Sequence, residues 1–306
     1  MALLHWLSCL PILLNLAADP PAKLTVSDAS FRVYRGSGEA STIEAILKDA
    51  REYDVIFLGE IHTDPVAHYL EKRLLEGIAD EKTTLSLEMF ETDVQTVVDE
   101  YLAGLISEEH LIAAGRAWKT YKTDYRELIE FAKLRKMPVL AANAPRRYVN
   151  RVSRLGRESL ADLPAQAKAF LPPLPYAEAS ADYGAKFTKV MEESRKKAAE
   201  SKTAVPQGEM NIPRALATQS LWDAGMSFSI AQHLTRQPGR RVVHVNGGFH
   251  TEQHLGTAEQ LLRYRPGVKA MVVTMLPSKQ FPNFDSEAMR GKGDFVIVTD
   301  AALSKE

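Results

Sequence analysis

The chain has 306 residues, 45% hydrophobic and 25% charged, with 17 Gly and 16 Pro, the composition of an ordinary folded protein rather than a disordered or fibrous one. Its 38 Lys and Arg stand against 39 Asp and Glu, a net charge of -1, so no surplus positive charge is available for a nucleic-acid backbone and no such partner is expected. Beyond the N-terminus nothing approaches the roughly 18 uncharged apolar residues of a membrane-spanning helix, so no transmembrane domain is expected either.

In chain order, Met1 to Ala18 (MALLHWLSCLPILLNLAA) carries no charged side chain and gives way abruptly to DPPAKLTVSD. This reads as a signal peptide over residues 1–18, with Ala17 and Ala18 at the cleavage point, followed by one domain over 19–306 exported to the periplasm or cell envelope. An N-terminal helix packed on the domain is the alternative. The one cysteine, Cys9, lies inside this segment, which leaves the mature chain without a thiol for a disulfide, a metal or a nucleophile. Trp6 stands where a lipobox carries Leu, which argues against lipidation.

Short apolar runs bounded by turn residues then recur: Asp54 to Leu58, Thr83 to Leu87, Pro138 to Ala142, Arg241 to Val245, Val268 to Leu276 and Phe295 to Thr299. Their continuity predicts strands buried on both faces, as in a parallel sheet. Between them, Ser41 to Glu52 and Val66 to Ile78 carry apolar residues at helical spacing. The alternation predicts an α/β fold, a mostly parallel central sheet with helices on both faces. Two stretches, about 93–136 and 146–237, read as helical insertions, the second crossed by the stiff segment Leu171 to Tyr176 (LPPLPY). Lys186 to Lys202, mixed in charge, reads as a solvated helix face. No Walker loop, HExxH helix or GxSxG elbow occurs, and the glycine pair Gly36-Ser37-Gly38 follows no apparent strand.

Chemistry-bearing residues gather where apolar runs end. Gly59-Glu60-Ile61-His62-Thr63-Asp64-Pro65 follows DVIFL, and Asp64-Pro65 is a helix start, so Glu60 and His62 fall in a strand-to-helix turn. Such turns line the ligand crevice of α/β sheets. Glu88 ends the next run. A buried carboxylate there requires a partner, a proton or a wet cleft, and beside Glu60 it would share a proton or a cation. Asn143 and Arg146 follow PVLAA, while Asn246 and His250 follow RVVHV around two glycines. His244, inside that run, reads as a core residue. If the strands are parallel neighbours, one rim collects all of these.

The same segments, GEIHTDP, LEMF, WKTYKTDYRELIEFAKLRKMPVLAANAP, then Gln219 to Met226 and HVNGGFHTEQHLG, resemble in order the ChaN-like haem-binding family of the Tiki and erythromycin-esterase superfamily. Gly247-Gly248-Phe249-His250 departs from the Gly-Asn-Gly-His of many members. The resemblance implies an exported α/β protein of haem or iron acquisition, with metal-dependent proteases and esterases among its relatives. Tyr69, Tyr148 and His68 are axial-ligand candidates by chemistry, the alternative for each being an ordinary amphipathic surface position. Arg146 or Arg147 would pair with haem propionates, with Asn143 and Asn246 near the ligand, in a chain that could form a homodimer. A different reading is a hydrolase in which Glu60, His62, Glu88 and His250 hold a divalent ion or activate water, the oxygen and nitrogen donors favouring Mn, Fe or Zn. The remaining reading is a scaffold whose polar rim is structural.

Overall fold

The computed structural model describes residues 25–200 and 211–304; the segment read as a signal peptide, with Cys9, lies outside them. The described chain opens on a hairpin, β1 (Phe31–Arg35) and β2 (Ala40–Ser41), followed by α1 (Ile43–Asp49), β3 (Val55–Glu60), α2 (Pro65–Ile78) and β4 (Thr83–Glu91). The helices α3 (Gln95–Leu102), α4 (Glu108–Ala114) and α5 (Arg126–Leu134) then lead to β5 (Val139–Asn143). A second helical stretch, α6 (Arg146–Leu155), α7 (Ala165–Lys168), α8 (Ala181–Glu200) and α9 (Ile212–Arg236), precedes β6 (Arg241–Gly247). The elements α10 (Thr257–Tyr264), β7 (Ala270–Ser278), α11 (Ser286–Met289) and β8 (Phe295–Asp300) complete the fold.

All the strands join one sheet in the order β2-β1-β8-β7-β3-β6-β4-β5. From β8 to β5 every pairing is parallel, and only the β1–β2 hairpin and its contact with β8 are antiparallel. Side-chain alternation explains why the strands read as unbroken apolar runs. On β3, Ile56 and Leu58 enter the core beneath α2 and α5, whereas Val55 and Phe57 pack with Ile230 and Leu234 of α9 on the opposite face. Residues on β6 and β7 divide the same way, Val243 and Met271 to one core, Val242 and Val272 to the other. Burying both faces removes the polar alternation that marks a half-solvated strand.

The hairpin escapes the apolar-run pattern because Arg32 and Arg35 interrupt it. Gly36-Ser37-Gly38 therefore does follow a strand, contrary to expectation, but it turns the chain into β2 rather than into a helix. At the far edge, the Gln95 side chain occupies the place of a further strand: its Nε2 donates to the Val139 carbonyl at 2.8 Å and its Oε1 accepts from the Ala141 N–H at 2.8 Å.

Helix α9 lies unusually close to the end of β5. A Cβ on Gly225 would come within 2.9 Å of the Ala144 Cβ and 3.0 Å of its backbone nitrogen. Gly225→Val should therefore lower stability by about 1–3 kcal/mol through overpacking, despite a small gain in helix propensity. Urea denaturation measures this, and an unchanged midpoint would contradict such close packing.

Candidate functional site

The sheet's strand order changes direction about β3, whose neighbours β6 and β7 arrive later in the chain. That arrangement opens a crevice beyond the carboxyl ends of the strands. Gly59 permits it locally, since a Cβ there would come within 3.0 Å of Gly248 Cα in the adjoining loop. Asp64 caps α2 by accepting from the Val66 N–H at 2.9 Å, with Pro65 as the first helical residue. The turn between Gly59 and Asp64 thus places Glu60 at the base of the crevice and His62 at its mouth.

Glu60 is 1% exposed, and several segments supply its partners. The Tyr125 hydroxyl donates to Oε1 at 2.5 Å, His62 Nδ1 lies 2.9 Å from the same oxygen, and His68 Nδ1 lies 3.0 Å from Oε2. Tyr125 and Asp124 come from a π-helical turn, Tyr121–Tyr125, at the head of α5. Burial opposes ionisation of Glu60, but the bond from His62 and the charges of His68 and His62 outweigh it and hold the carboxyl below its ordinary range. Glu71, one turn beyond His68 on α2, goes the other way: complete burial and then the charge of Glu60 push its carboxyl well above that range. Burial likewise raises the Tyr125 phenol far above its ordinary value, with Glu60 adding to the effect, so it acts as a donor.

Across the crevice, the backbone N–H of Gly247 donates to Glu88 Oε2 at 2.7 Å. A side chain at Gly247 would meet His62 Nε2 at 3.0 Å and Glu88 at 3.6 Å, so this glycine lets the two halves of the site approach. His250 Nε2 lies 3.6 Å from Glu88 Oε1, and its Nδ1 is 2.7 Å from Asp223 Oδ1 on α9. Thr257 donates to the same Asp223 oxygen at 2.9 Å. Desolvation disfavours protonated His250, but Glu88 and Asp223 prevail and raise its pKa to about 9. Trp118 packs edge-on against His62, with ring centroids 4.8 Å apart. The crevice thus holds imidazoles oriented by carboxylates, an arrangement able to move protons or bind anionic groups at its mouth.

Glu60, His62, Glu88 and His250 accordingly gather at neighbouring strand ends, although Glu60 takes Glu71 rather than Glu88 as its carboxylate neighbour. Asn246 is buried beside them, donating to the Gly247 carbonyl and Thr251, a structural placement. Asn143 turns back on the Ala144 N–H at 2.9 Å, and Arg146 points toward Glu91 at 3.8 Å, so the β5 end shares no hydrogen bond with the crevice residues. His244 is fully buried against Ser86, its pKa lowered to about 3 mainly by burial. Tyr69 is 38% exposed and donates to Asp28, while the Arg147 guanidinium lies over the Tyr148 ring at 4.4 Å. Glu71 was not singled out from sequence, and Trp118, Asp124, Tyr125 and Asp223 entered only within the segments that carry the family resemblance, with no role assigned to them. For Glu71 the available signal is its three-residue spacing from His68 on α2.

Fold and site together define an α/β domain with a polar, histidine-bearing crevice at the carboxyl ends of a parallel sheet. The family model for haem-binding uptake proteins of the Tiki superfamily, ChaN, matches residues 46–261, well over half of the sequence, and the chain belongs to that family. The fold is similar to that in a solved structure of cofacial heme binding to ChaN of Campylobacter jejuni (TM-score 0.67, 16% identity, covering 89% of this chain and 98% of that one). A Bacillus cereus protein (TM-score 0.47, 11% identity, 89% and 95% covered) and an erythromycin esterase mutant in its open conformation (TM-score 0.44, 11% identity, 89% and 83% covered) are more distant likenesses. No curated protein matches the sequence. Among the described residues no helix is long and apolar enough to cross a membrane.

The raised pKa of His250 has a consequence for stability. Its folded value of about 9 exceeds the unfolded 6.5, so its contribution is complete below pH 6.5 and disappears as pH rises through 9, on the order of 3 kcal/mol at most. Asp223→Asn should destabilise the protein at pH 6, with the difference from wild type narrowing by pH 9.5. Chemical denaturation across that range measures it; a pH-independent difference would contradict the assigned pair.

Proposed function

We propose that this protein binds haem, is exported to the cell envelope, and serves haem or iron acquisition. Membership of the haem-binding uptake family over residues 46–261 carries the reading. Haem would bring an iron that accepts an axial oxygen or nitrogen donor and two propionates that accept cations. The residues present fit unequally. His68 does not, being 8% exposed with Nδ1 directed at Glu60 and Glu71. Tyr69 fits best: it is exposed on α2, and Arg73 on the same helix binds the same Asp28 carboxylate. Tyr148, with Arg146 nearby on α6, is the second position, but its ring is partly packed against the Ala144 and Val149 core. Because α2 and α6 contribute to separate cores, Arg146 would serve Tyr148, whereas Arg73 would serve Tyr69.

A hydrolytic reading keeps one supporting observation, the Asp223–His250 pair facing Glu88. Turnover of an ester or amide by wild type, lost in His250→Ala, would favour it.

Titration with haemin should produce a saturable Soret shift in wild type, and Tyr69→Phe should change that band strongly while leaving the fold intact. If neither Tyr69→Phe nor Tyr148→Phe alters the spectrum, the ligand assignment fails; absence of saturable binding removes the haem reading itself. Sedimentation with and without haemin distinguishes a monomer from a homodimer. Export predicts mature protein beginning near Asp19 in its native host, and an intact Met1 there would contradict it.

A further inference from the structure

We propose that Glu60, His68 and Glu71 form a closed binding site for one divalent transition ion of the zinc, manganese or iron(II) class, beneath the crevice and separate from its mouth. His68 Nδ1 lies 3.0 Å from Glu60 Oε2 and 3.3 Å from Glu71 Oε2. A tetrahedral ion with nitrogen and oxygen bonds of about 2.0–2.2 Å separates its donors by roughly 3.3–3.6 Å, within a few tenths of these distances. Ligand atoms of all three side chains lie within 4.8 Å of one another.

The surroundings point the donors inward. His68 Nε2 faces the His62 carbonyl oxygen at 3.2 Å and Asp124 Oδ2 at 3.7 Å, acceptors that would keep a proton on Nε2 while Nδ1, which faces both glutamates, coordinates an ion. This is the outer-partner arrangement characteristic of metal-bound histidines. Without an ion, a proton on Nδ1 faces the two carboxylates, and a bound cation would take that proton's place. Among the described residues no Lys or Arg is paired with Glu60 or Glu71, and the buried Glu71 Oε1 accepts no hydrogen bond. Both side chains are at most 1% exposed, so water does not solvate the deficit. A proton on Nδ1 or a metal ion can supply the charge. The two carboxylates and the imidazole together provide a donor set of the borderline, sulfur-free kind that suits zinc, manganese and iron(II).

The ion would bind β3 to α2. Through the other oxygen of Glu60, which meets His62 Nδ1 and the Tyr125 hydroxyl, it would also fix the histidine at the crevice mouth. His62 and His250 are then outside the coordination sphere, which separates this site from a metal held across the crevice.

The test uses the full chain, stripped with a chelator, desalted and titrated with Co2+ and then Zn2+. One equivalent of Zn2+ should survive gel filtration, and Co2+ should give a visible absorption band that Zn2+ abolishes. Glu71→Gln, nearly identical in shape, should weaken Co2+ binding at least about 100-fold, and Asp124→Asn by about 10- to 100-fold, while His250→Ala leaves it unchanged. Failure of wild type to retain either ion overturns the proposal, as does unchanged affinity in Glu71→Gln or loss in His250→Ala. Should Glu71→Gln not fold, X-ray absorption of the Zn2+-loaded wild type decides: one imidazole among oxygen donors supports the site, and two or more imidazoles overturn it.

Discussion

A carboxylate buried at the end of a central strand dictates how this molecule is assembled around its crevice. Glu60 is sealed from water, and an isolated charge in that position would cost several kcal/mol. The cost is offset by groups from separate segments: His62 from the turn, His68 from α2 and Tyr125 from the π-helical turn before α5. None is adjacent to Glu60 in sequence, and together they require α2 and α5 to converge at the carboxyl end of β3. A π-helical turn is a rare conformation often found at functional sites, and here it delivers Asp124 and Tyr125 in succession.

The opposite wall obeys a different constraint. Asp223 near the middle of α9, Glu88 on β4 and His250 beyond β6 form a connected polar path, and Gly247 is the point at which that path meets the Glu60 side. Backbone rather than side chain occupies the junction, so His62 and Glu88 approach across it without competing for volume. The walls are therefore mechanically distinct, one fastened to α2 and α5, the other to α9, although a single sheet carries both.

Much of this was legible in the sequence because a parallel sheet and its turns leave local signatures. The uninterrupted apolar runs reported strands buried on both faces, and Asp64-Pro65 reported the start of α2. Glu60, Glu88 and His250 were conspicuous because each follows such a run. The hairpin was hidden because Arg32 and Arg35 break the apolar run of β1 and β2 has only Ala40 and Ser41. Glu71 was hidden for another reason, being a buried acid on an otherwise ordinary amphipathic helix, and Asp223 showed only as part of the Gln219 to Met226 segment, its pairing with His250 far along the chain having no local sign. The β5 end misled in the opposite sense. Asn143 and Arg146 occupy the same relative place as the other candidates, but β5 is the outermost strand, and Asn143 bonds to its own neighbour.

The amide of Gln95, set against Val139 and Ala141 on that outermost strand, bears on how the molecule can meet others of its kind. An open strand edge is a template on which extended segments add and sheets grow into fibres. Here one side chain imitates the donor and acceptor of the missing neighbour, and the opposite border ends in a strand of two residues. Sheet extension offers little foothold at either border, so self-association must use helical or loop surfaces, leaving the backbone ladder finished within a single copy.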